Sequence, residues 1–502
     1  MGAAAGGRAA VLSALAAVSL LSACAVGPNY TRPAAPVPPA FKESPPPGQR
    51  PEDWKSAEPR DAVSRGKWWE IFGDPELNAL EEQIDAANQD LARADAVFRA
   101  ARAVARGARA DLFPVVTGSA SVTRSRRPAV NGAKPVTSTV YEVPFDLSWE
   151  ADVFGRIRRN VEANVAAAQA SAADRESVRL SLHAELATDW LLLHGLDGQK
   201  QLLDDVVAGY TTALQLTRNR HDQGVVSGVD VAQAETQLET TRVEATDLEV
   251  DRTRLEHAIA ILIGKAPAEL SIPRAPLRLT PPPLPLLMPS ELIERRPDVA
   301  AAERRVASAN AQVGVATAAF FPRLLLDATA GWQSGALSGL FSLPNRIWSI
   351  GPSVVETIFS GGKRRAGVEQ ARASYDAAVA VYRQSVLAAF QEVEDDLAAT
   401  RVLEEEALQE DVAVAASDRL LTLARTRYQG GITTYLEVVI AEATALQNRR
   451  AAVDLLTRRM TASVDLVKAL GGGWDASALP SSRAVLSRSA AGETRPDAGV
   501  RP

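Results

Sequence analysis

Side chains able to do covalent or metal chemistry are few in this chain, and they are scattered. Its four histidines match no metal-ligand spacing, and His183 and His194 are expected to pack inside helices. Gly361-Gly362-Lys363-Arg364 lacks the upstream glycine and the following Ser or Thr of a phosphate-binding loop. Cys24 is the only cysteine in 502 residues, so it cannot form an internal disulfide. The sequence therefore predicts no enzyme: no catalytic residue, no metal site and no cofactor.

Cys24 ends an N-terminal segment typical of secretion. Arg8 precedes an apolar stretch over residues 11–21, which is shorter than the ~20 residues that a membrane-spanning helix needs. We therefore predict a signal peptide over residues 1–23. Leu21-Ser22-Ala23-Cys24 resembles a bacterial lipoprotein box, which implies a diacylglyceryl group on Cys24. By the same resemblance, Ala25 in place of an aspartate favours the outer membrane.

Composition divides the rest of the chain. Residues 25–66 hold ten prolines, which predicts an extended tether over 24–66 after lipidation. A second proline-rich linker is expected over 273–290, and a polar, disordered tail over 475–502. The net charge of −6, with no aromatic residues clustered among basic ones, predicts no nucleic-acid partner.

The chain contains an internal sequence duplication. Residues 220–231 align without a gap on residues 427–438, and Ile263-Gly264 maps onto Leu470-Gly471 at the same offset of 207. Phe113-Pro114 maps onto Phe321-Pro322 at an offset of 208. We therefore predict two repeats, over residues 67–272 and 291–474.

Each repeat contains a long block without proline, over residues 145–266 and 353–479. These blocks predict long helices over about 156–264 and 363–471. The run from Arg156 to Asp222 would extend about 100 Å as one helix. Apolar residues from Val231 to Leu262 recur every three, four or seven positions, and their counterparts at +207 are all apolar, which indicates a coiled-coil seam.

Four short segments alternate with a period of two, at about 114–124, 139–150, 322–332 and 347–358. In the second of them the apolar residues are Tyr141, Val143, Phe145, Leu147 and Trp149. This pattern and length suit membrane barrel strands, although a half-buried soluble sheet would show the same alternation. Four strands cannot close a barrel, so several chains must pool their strands.

The chain resembles the TolC-like outer-membrane factors, in particular the lipoprotein (NodT-like) branch that serves resistance-nodulation-division pumps. The resemblance covers about Cys24 to Trp474. The motifs that carry it are Cys24-Ala-Val-Gly-Pro-Asn-Tyr-Thr-Arg-Pro33, Trp68-Trp69-Glu-Ile-Phe-Gly-Asp-Pro-Glu-Leu77, Arg295-Arg-Pro-Asp298, Phe321-Pro322, Trp348-Ser-Ile-Gly-Pro352 and Ile358-Phe-Ser-Gly-Gly362.

This resemblance implies a mixed α/β, mainly α membrane protein with a TolC-like fold. A homotrimer would form a twelve-stranded outer-membrane β-barrel, with four strands per chain, and a long periplasmic α-helical barrel. The implied function is that of the outer-membrane channel of a tripartite efflux system in a Gram-negative bacterium. It would passively conduct drugs or other small molecules, with outer-membrane lipid, a periplasmic adaptor protein and an inner-membrane pump as its partners.

The resemblance also implies roles for the two helix-turn-helix tips. The expected adaptor contacts are Gly224, Val225, Ser227, Gly431, Ile432 and Thr434. The expected periplasmic gate consists of Tyr428, Leu436, Glu437, Ile440 and Asp230. Ile440 stands where the family usually has a second acid, which favours a more hydrophobic constriction. Alternatively, Glu437 and Asp230 are solvated acids favoured by the helix dipole.

The sequence is also compatible with two different functions. The same fold serves type I protein secretion outlets, and a lipid-anchored periplasmic scaffold would share the long helices. The predicted extracellular loop between the first two strands contains Arg124, Arg126, Arg127 and Lys134. These side chains would either contact lipopolysaccharide phosphates or simply be solvated.

Overall fold

A computed structural model describes residues 25–38, 40–43, 67–128, 135–282 and 294–487. Cys24 and Lys134 lie outside the described residues. The helices are α1 Pro75–Ala87, α2 Gln89–Ala110, α3 Arg156–Asp222, α4 Gly228–Leu262, α5 Pro297–Ala318, α6 Lys363–Gln429, α7 Tyr435–Ala469 and α8 Ser482–Leu486. The strands are β1 Val115–Gly118, β2 Ser121–Arg127, β3 Val136–Ala151, β4 Arg323–Ser334 and β5 Arg346–Val355.

The duplication is visible in the helix lengths. Helices α3 and α6 each have 67 residues, and α4 and α7 each have 35. Every one of their boundaries is reproduced at the offset of 207. Each repeat is therefore a long helical hairpin, with its reversal at the predicted tip. No helix in the described part of the chain is long and apolar enough to cross a membrane.

The predicted seam is the buried face of the return helices. Ala234, Leu238, Ala245, Ile259 and Leu262 of α4 are all buried. At the offset of 207, the α7 counterparts Ala441, Ala445, Leu466 and Ala469 are buried as well, whereas Ala452, the counterpart of Ala245, is half-buried. Alanine at so many of these positions lets the helix axes approach closely.

The return helix of each repeat ends against the start of a shorter helix. The Asn88 side-chain amide donates to the carbonyl of Leu262 at the end of α4 over 2.8 Å. In the second repeat, Arg296 donates in the same way to Ala469 at the end of α7 over 3.0 Å. Gly471, at φ 92°, lies so close to the Arg295 carbonyl that a Cβ would approach it to 2.1 Å. In each repeat, the shorter helix (α2 or α5) thus continues from the end of the return helix toward the sheet.

The sheet is antiparallel, in the order β1-β3-β4-β5, with β2 also paired to β3. Where one strand was predicted over about 114–124, the chain forms two, because the ladder is interrupted at Ser119 and Ala120. The prediction that Arg124, Arg126 and Arg127 lie in a loop is wrong, because all three belong to β2 and pair with β3.

A belt of shorter segments packs around the middle of the hairpins. The Trp69 ring stacks on the His183 ring of α3 with centroids 4.3 Å apart, and His183 Nδ1 lies 2.6 Å from Glu81 Oε2. On the N-terminal segment, Phe41 is buried against Phe390 of α6. The belt therefore covers one side of the long helices at mid-length.

The predicted disorder from residue 475 is wrong as far as residue 487. This stretch contains a 3-10 turn at Ala476–Ala478 and helix α8. Val485 is fully buried against Ala105 of α2 and Val165 of α3. Arg102 donates to the carbonyls of Ala484 and Ser487, which satisfies groups at the end of α8. One buried valine and one arginine therefore order a polar segment.

Candidate functional site at the hairpin tips

The two tips reverse the chain with the same backbone geometry. Gly224 follows α3 at φ 73°, and Gly431 follows α6 at φ 70°. The next residue in each tip donates its N–H back across the turn, from Val225 to Arg220 and from Ile432 to Arg427, both over 2.9 Å. Among the described residues, no atom lies within 4 Å of the Cβ position that either glycine lacks, so the backbone conformation, rather than crowding, favours glycine.

The return helices begin differently in the two tips. Ser227 and Asp230 form a capping box, in which the Ser227 N–H donates to the Asp230 carboxylate over 2.9 Å. Thr434, at the same place in the second tip, makes no side-chain cap bond, and Glu437 is exposed. The Asp230 carboxylate is therefore engaged in its own helix cap, whereas that of Glu437 faces solvent in the protomer.

Tyr428 joins the two hairpins. Its ring lies 5.5 Å from the ring of Tyr435 on α7, and the Arg220 guanidinium of α3 lies 5.1 Å from its centroid. The Tyr428 hydroxyl is buried and has no hydrogen-bond partner among the described residues. Burial, together with the nearby Glu442 carboxyl, raises the pKa of Tyr435 to about 12. Tyr428 is thus held by ring contacts from both repeats.

An ion pair next to these rings occurs in both repeats. Arg425 donates to one Glu442 oxygen from two nitrogens, over 2.9 and 3.2 Å. At the offset of 207, Arg218 lies 3.4 Å from Glu235. Glu442 is buried, whereas Glu235 is exposed. Burial raises the pKa of Glu442, although Arg425 opposes the shift. These pairs were not predicted from the sequence, although the repeat offset relates them.

The remaining predicted gate residues lie on one exposed side of α7. Leu436 is 50% exposed and Ile440 is 56% exposed, one helical turn apart, with Glu437 beside them. The tips themselves also expose apolar side chains, Val225 and Ile432. Exposed apolar residues at both places are available for contacts outside the protomer. The described residues contain no cluster of three or more potential metal ligands.

The profile of the outer membrane efflux protein family matches residues 80–265 and, a second time, residues 288–472. The chain belongs to this family. The outer membrane efflux protein match confirms the predicted duplication and the predicted family. It makes the protein an outer-membrane component of an efflux system.

Relatives within the outer membrane efflux protein family agree over nearly the full length. The chain is 33% identical to the outer membrane protein OprJ of Pseudomonas aeruginosa over 477 residues, which cover 92% of this chain and 96% of OprJ. It is 34% identical to the outer-membrane channel OprN, with a TM-score of 0.80, over 90% of this chain and all of that one. Campylobacter jejuni CmeC, at 23% identity and a TM-score of 0.84, shares the fold. The predicted TolC-like fold is confirmed.

Proposed function

We propose that three copies of this chain form a continuous conduit across the outer membrane and the periplasm. The conduit would receive small molecules from an inner-membrane pump through a periplasmic adaptor and conduct them passively to the exterior. The open sheet carries this proposal. Its edge strands, β1 with β2 on one side and β5 on the other, have no further strand partner among the described residues.

The two faces of the sheet support a membrane location. Directly paired residues share a face, and the register places Phe145, Ala330 and Trp348 together on one side. This outward face is apolar, and Trp348 is 77% exposed in the protomer. On the other face, Asp146 accepts a hydrogen bond from Thr329, and Glu142 accepts one from Gln333. An apolar outer face, a polar inner face and open edges are what pooled barrel strands require.

The helices supply the periplasmic part of the proposed conduit. Both hairpins leave the same end of the sheet, since α3 follows β3 and α6 follows β5. Each 67-residue helix would extend about 100 Å. In the trimer, six hairpins would surround one tunnel, and six tips would form its periplasmic end.

We assign the gate to Tyr428, Leu436, Glu437 and Ile440, with Asp230 at the neighbouring tip. The exposed side of α7 would supply three symmetry-related copies of an apolar ring beside a carboxylate ring. Gly224, Val225, Ser227, Gly431, Ile432 and Thr434 would meet the adaptor, because they form the outermost turns.

We also propose a lipid anchor on Cys24. The first described residues after it are held near the junction between sheet and helices, where the Val26 N–H donates to the Phe154 carbonyl over 3.1 Å. This position lies close to the membrane surface in the proposed orientation. An acyl chain there would enter the leaflet next to the barrel.

Conductance of the purified, lipidated protein in planar bilayers tests the conduit and its gate together. We expect a small, cation-selective conductance from a trimer. Glu437→Ala should lower the cation selectivity, and the pair Leu436→Ser with Ile440→Ser should raise the conductance. Glu76→Ala is the matched control, since Glu76 is an exposed acid of the belt. A water-soluble monomer without detergent-resistant sheet structure would contradict the proposal.

A further inference from the structure

Two arginines of β2 lie on the outward face of the sheet. Val122 pairs directly with Tyr141, so both side chains share the apolar face. Arg124 and Arg126 follow Val122 at two-residue steps and therefore point to the same side. Both are exposed. Arg127 has the opposite parity and belongs to the inward face.

The other edge of the sheet has the same arrangement. Arg346 pairs with Trp332, which pairs with Val143 on the apolar face of β3. Two residues along β5 from Arg346 lies Trp348, followed on the same face by Ile350. Arg346 therefore ends an outward apolar row, just as Arg124 and Arg126 do on β2.

Arg124 and Arg126 lie just beyond a level of aromatic side chains, and Arg346 lies within that level, paired with Trp332. Tyr141, Trp332 and Trp348 stand on the outward face at this end of the sheet. Aromatic residues at such a level mark the boundary between hydrocarbon and headgroups. A guanidinium at this level or just beyond it can reach the lipid headgroups.

Charge in this region has one sign. Residues 119–141 and 333–355 together contain five basic residues and no acidic residue, in a chain whose net charge is −6. The arginines therefore have no carboxylate within these two segments. Guanidinium groups bind phosphate with two parallel N–H···O bonds, which suits them to a phosphorylated headgroup.

We propose that Arg124, Arg126 and Arg346 bind phosphate groups of a phosphorylated glycolipid in the outer leaflet. This inference rests on the proposed trimeric barrel, because closing the ring joins β5 of one protomer to the β1/β2 edge of the next. The arginines of both edges then lie together at each of the three junctions between protomers. They lie at the end of the sheet away from the helices, which faces the exterior in that orientation.

Native mass spectrometry of the purified trimer in neutral detergent tests the site. The probe is bis-phosphorylated lipid A, compared with dephosphorylated lipid A. We expect the triple variant Arg124→Gln, Arg126→Gln, Arg346→Gln to bind the phosphorylated lipid at least about tenfold more weakly. The triple variant Arg127→Gln, Arg372→Gln, Arg419→Gln removes the same charge elsewhere and should bind it as the parent does.

Equal binding by the parent protein of phosphorylated and dephosphorylated lipid A would overturn the site, and this comparison does not depend on any variant folding. Full competition by millimolar inorganic phosphate would likewise overturn a lipid-specific site in favour of a general anion site. Conductance of the same samples separates the two proposals. A conducting trimer without phosphate preference refutes only the lipid site, whereas no trimer and no conductance refute the channel.

Discussion

The Arg220 guanidinium of the first hairpin lies 5.1 Å from the centre of the Tyr428 ring of the second. This contact crosses between the repeats next to the proposed gate. Since the Tyr428 hydroxyl has no partner in the described structure, the ring rather than the hydroxyl carries the interaction.

Removing either side of this contact is expected to loosen the tip. Arg220→Ala and Tyr428→Ala each remove this cation–π contact, which at a partly exposed site is worth about 0.5–1 kcal/mol. Because the contact holds the tip next to the proposed gate, either substitution should raise single-channel conductance. Tyr428→Phe keeps the ring and is the matched control. A large conductance change in Tyr428→Phe, with none in Arg220→Ala, would show that the hydroxyl matters instead.

The duplicated ion pairs predict unequal effects of equivalent substitutions. Arg425→Leu leaves the buried Glu442 carboxylate unpaired and should cost about 1–2 kcal/mol, since the arginine itself is half exposed. Arg218→Leu, at the equivalent exposed pair, should cost less than about 0.5 kcal/mol. Hydrogen exchange of α4 and α7 amides near the tips measures both local opening free energies. Equal losses at the two tips would argue against a role for burial.

Two aspartates at equivalent places in the repeats predict how stability depends on pH. Burial, and then the neighbouring carboxylates led by Asp465, raises the pKa of Asp396 to about 7. Burial and Glu185 raise the pKa of Asp189 to about 6. The unfolded chain loses these protons at lower pH than the folded chain, so both groups make stability fall as pH rises from about 4 toward 7.

Asp396→Asn should therefore raise the thermal midpoint only slightly at pH 5 and by clearly more at pH 8. Asp411→Asn, an exposed position on the same helix, is the control and should show no such pH-dependent gain. A midpoint of Asp396→Asn below that of the parent at pH 8 would mean that the ionised carboxylate is stabilising.

The buried pair in the belt predicts a neutral hydrogen bond. Burial, then the nearby Asp85, raises the pKa of Glu81 well above its usual range, and burial lowers the pKa of His183 to about 4. Both directions favour a neutral pair, in which we expect the Glu81 hydroxyl to donate to His183 Nδ1 across the 2.6 Å that separates the two atoms.

Glu81→Gln should preserve stability, because its amide can donate the same hydrogen bond. Glu81→Leu should lose about 1–3 kcal/mol, because it leaves a buried acceptor unpaired. Urea-dependent loss of tryptophan fluorescence in the belt reports the difference. If Glu81→Gln proves as costly as Glu81→Leu, the pair is ionic rather than neutral.

The sequence alone determined the helices and the duplication, because the features that define them are local or periodic. The run predicted from Arg156 to Asp222 is the observed α3, between strand residues and a glycine turn. The two tip glycines and the offset of 207 located both reversals. Short motifs along the chain were also sufficient to identify the family that the profile match confirms.

Only the tertiary structure decided the contacts between distant segments. The register of β2 on β3 placed Arg124 and Arg126 in a strand and on its outward face, although local sequence indicated a loop. Val485 became buried because α2 and α3 provide a site for it. The ion pairs of the two tips have the same spacing, yet only Glu442 is buried. Burial depends on which helices pack around a residue, and that packing joins parts of the chain that no local pattern relates.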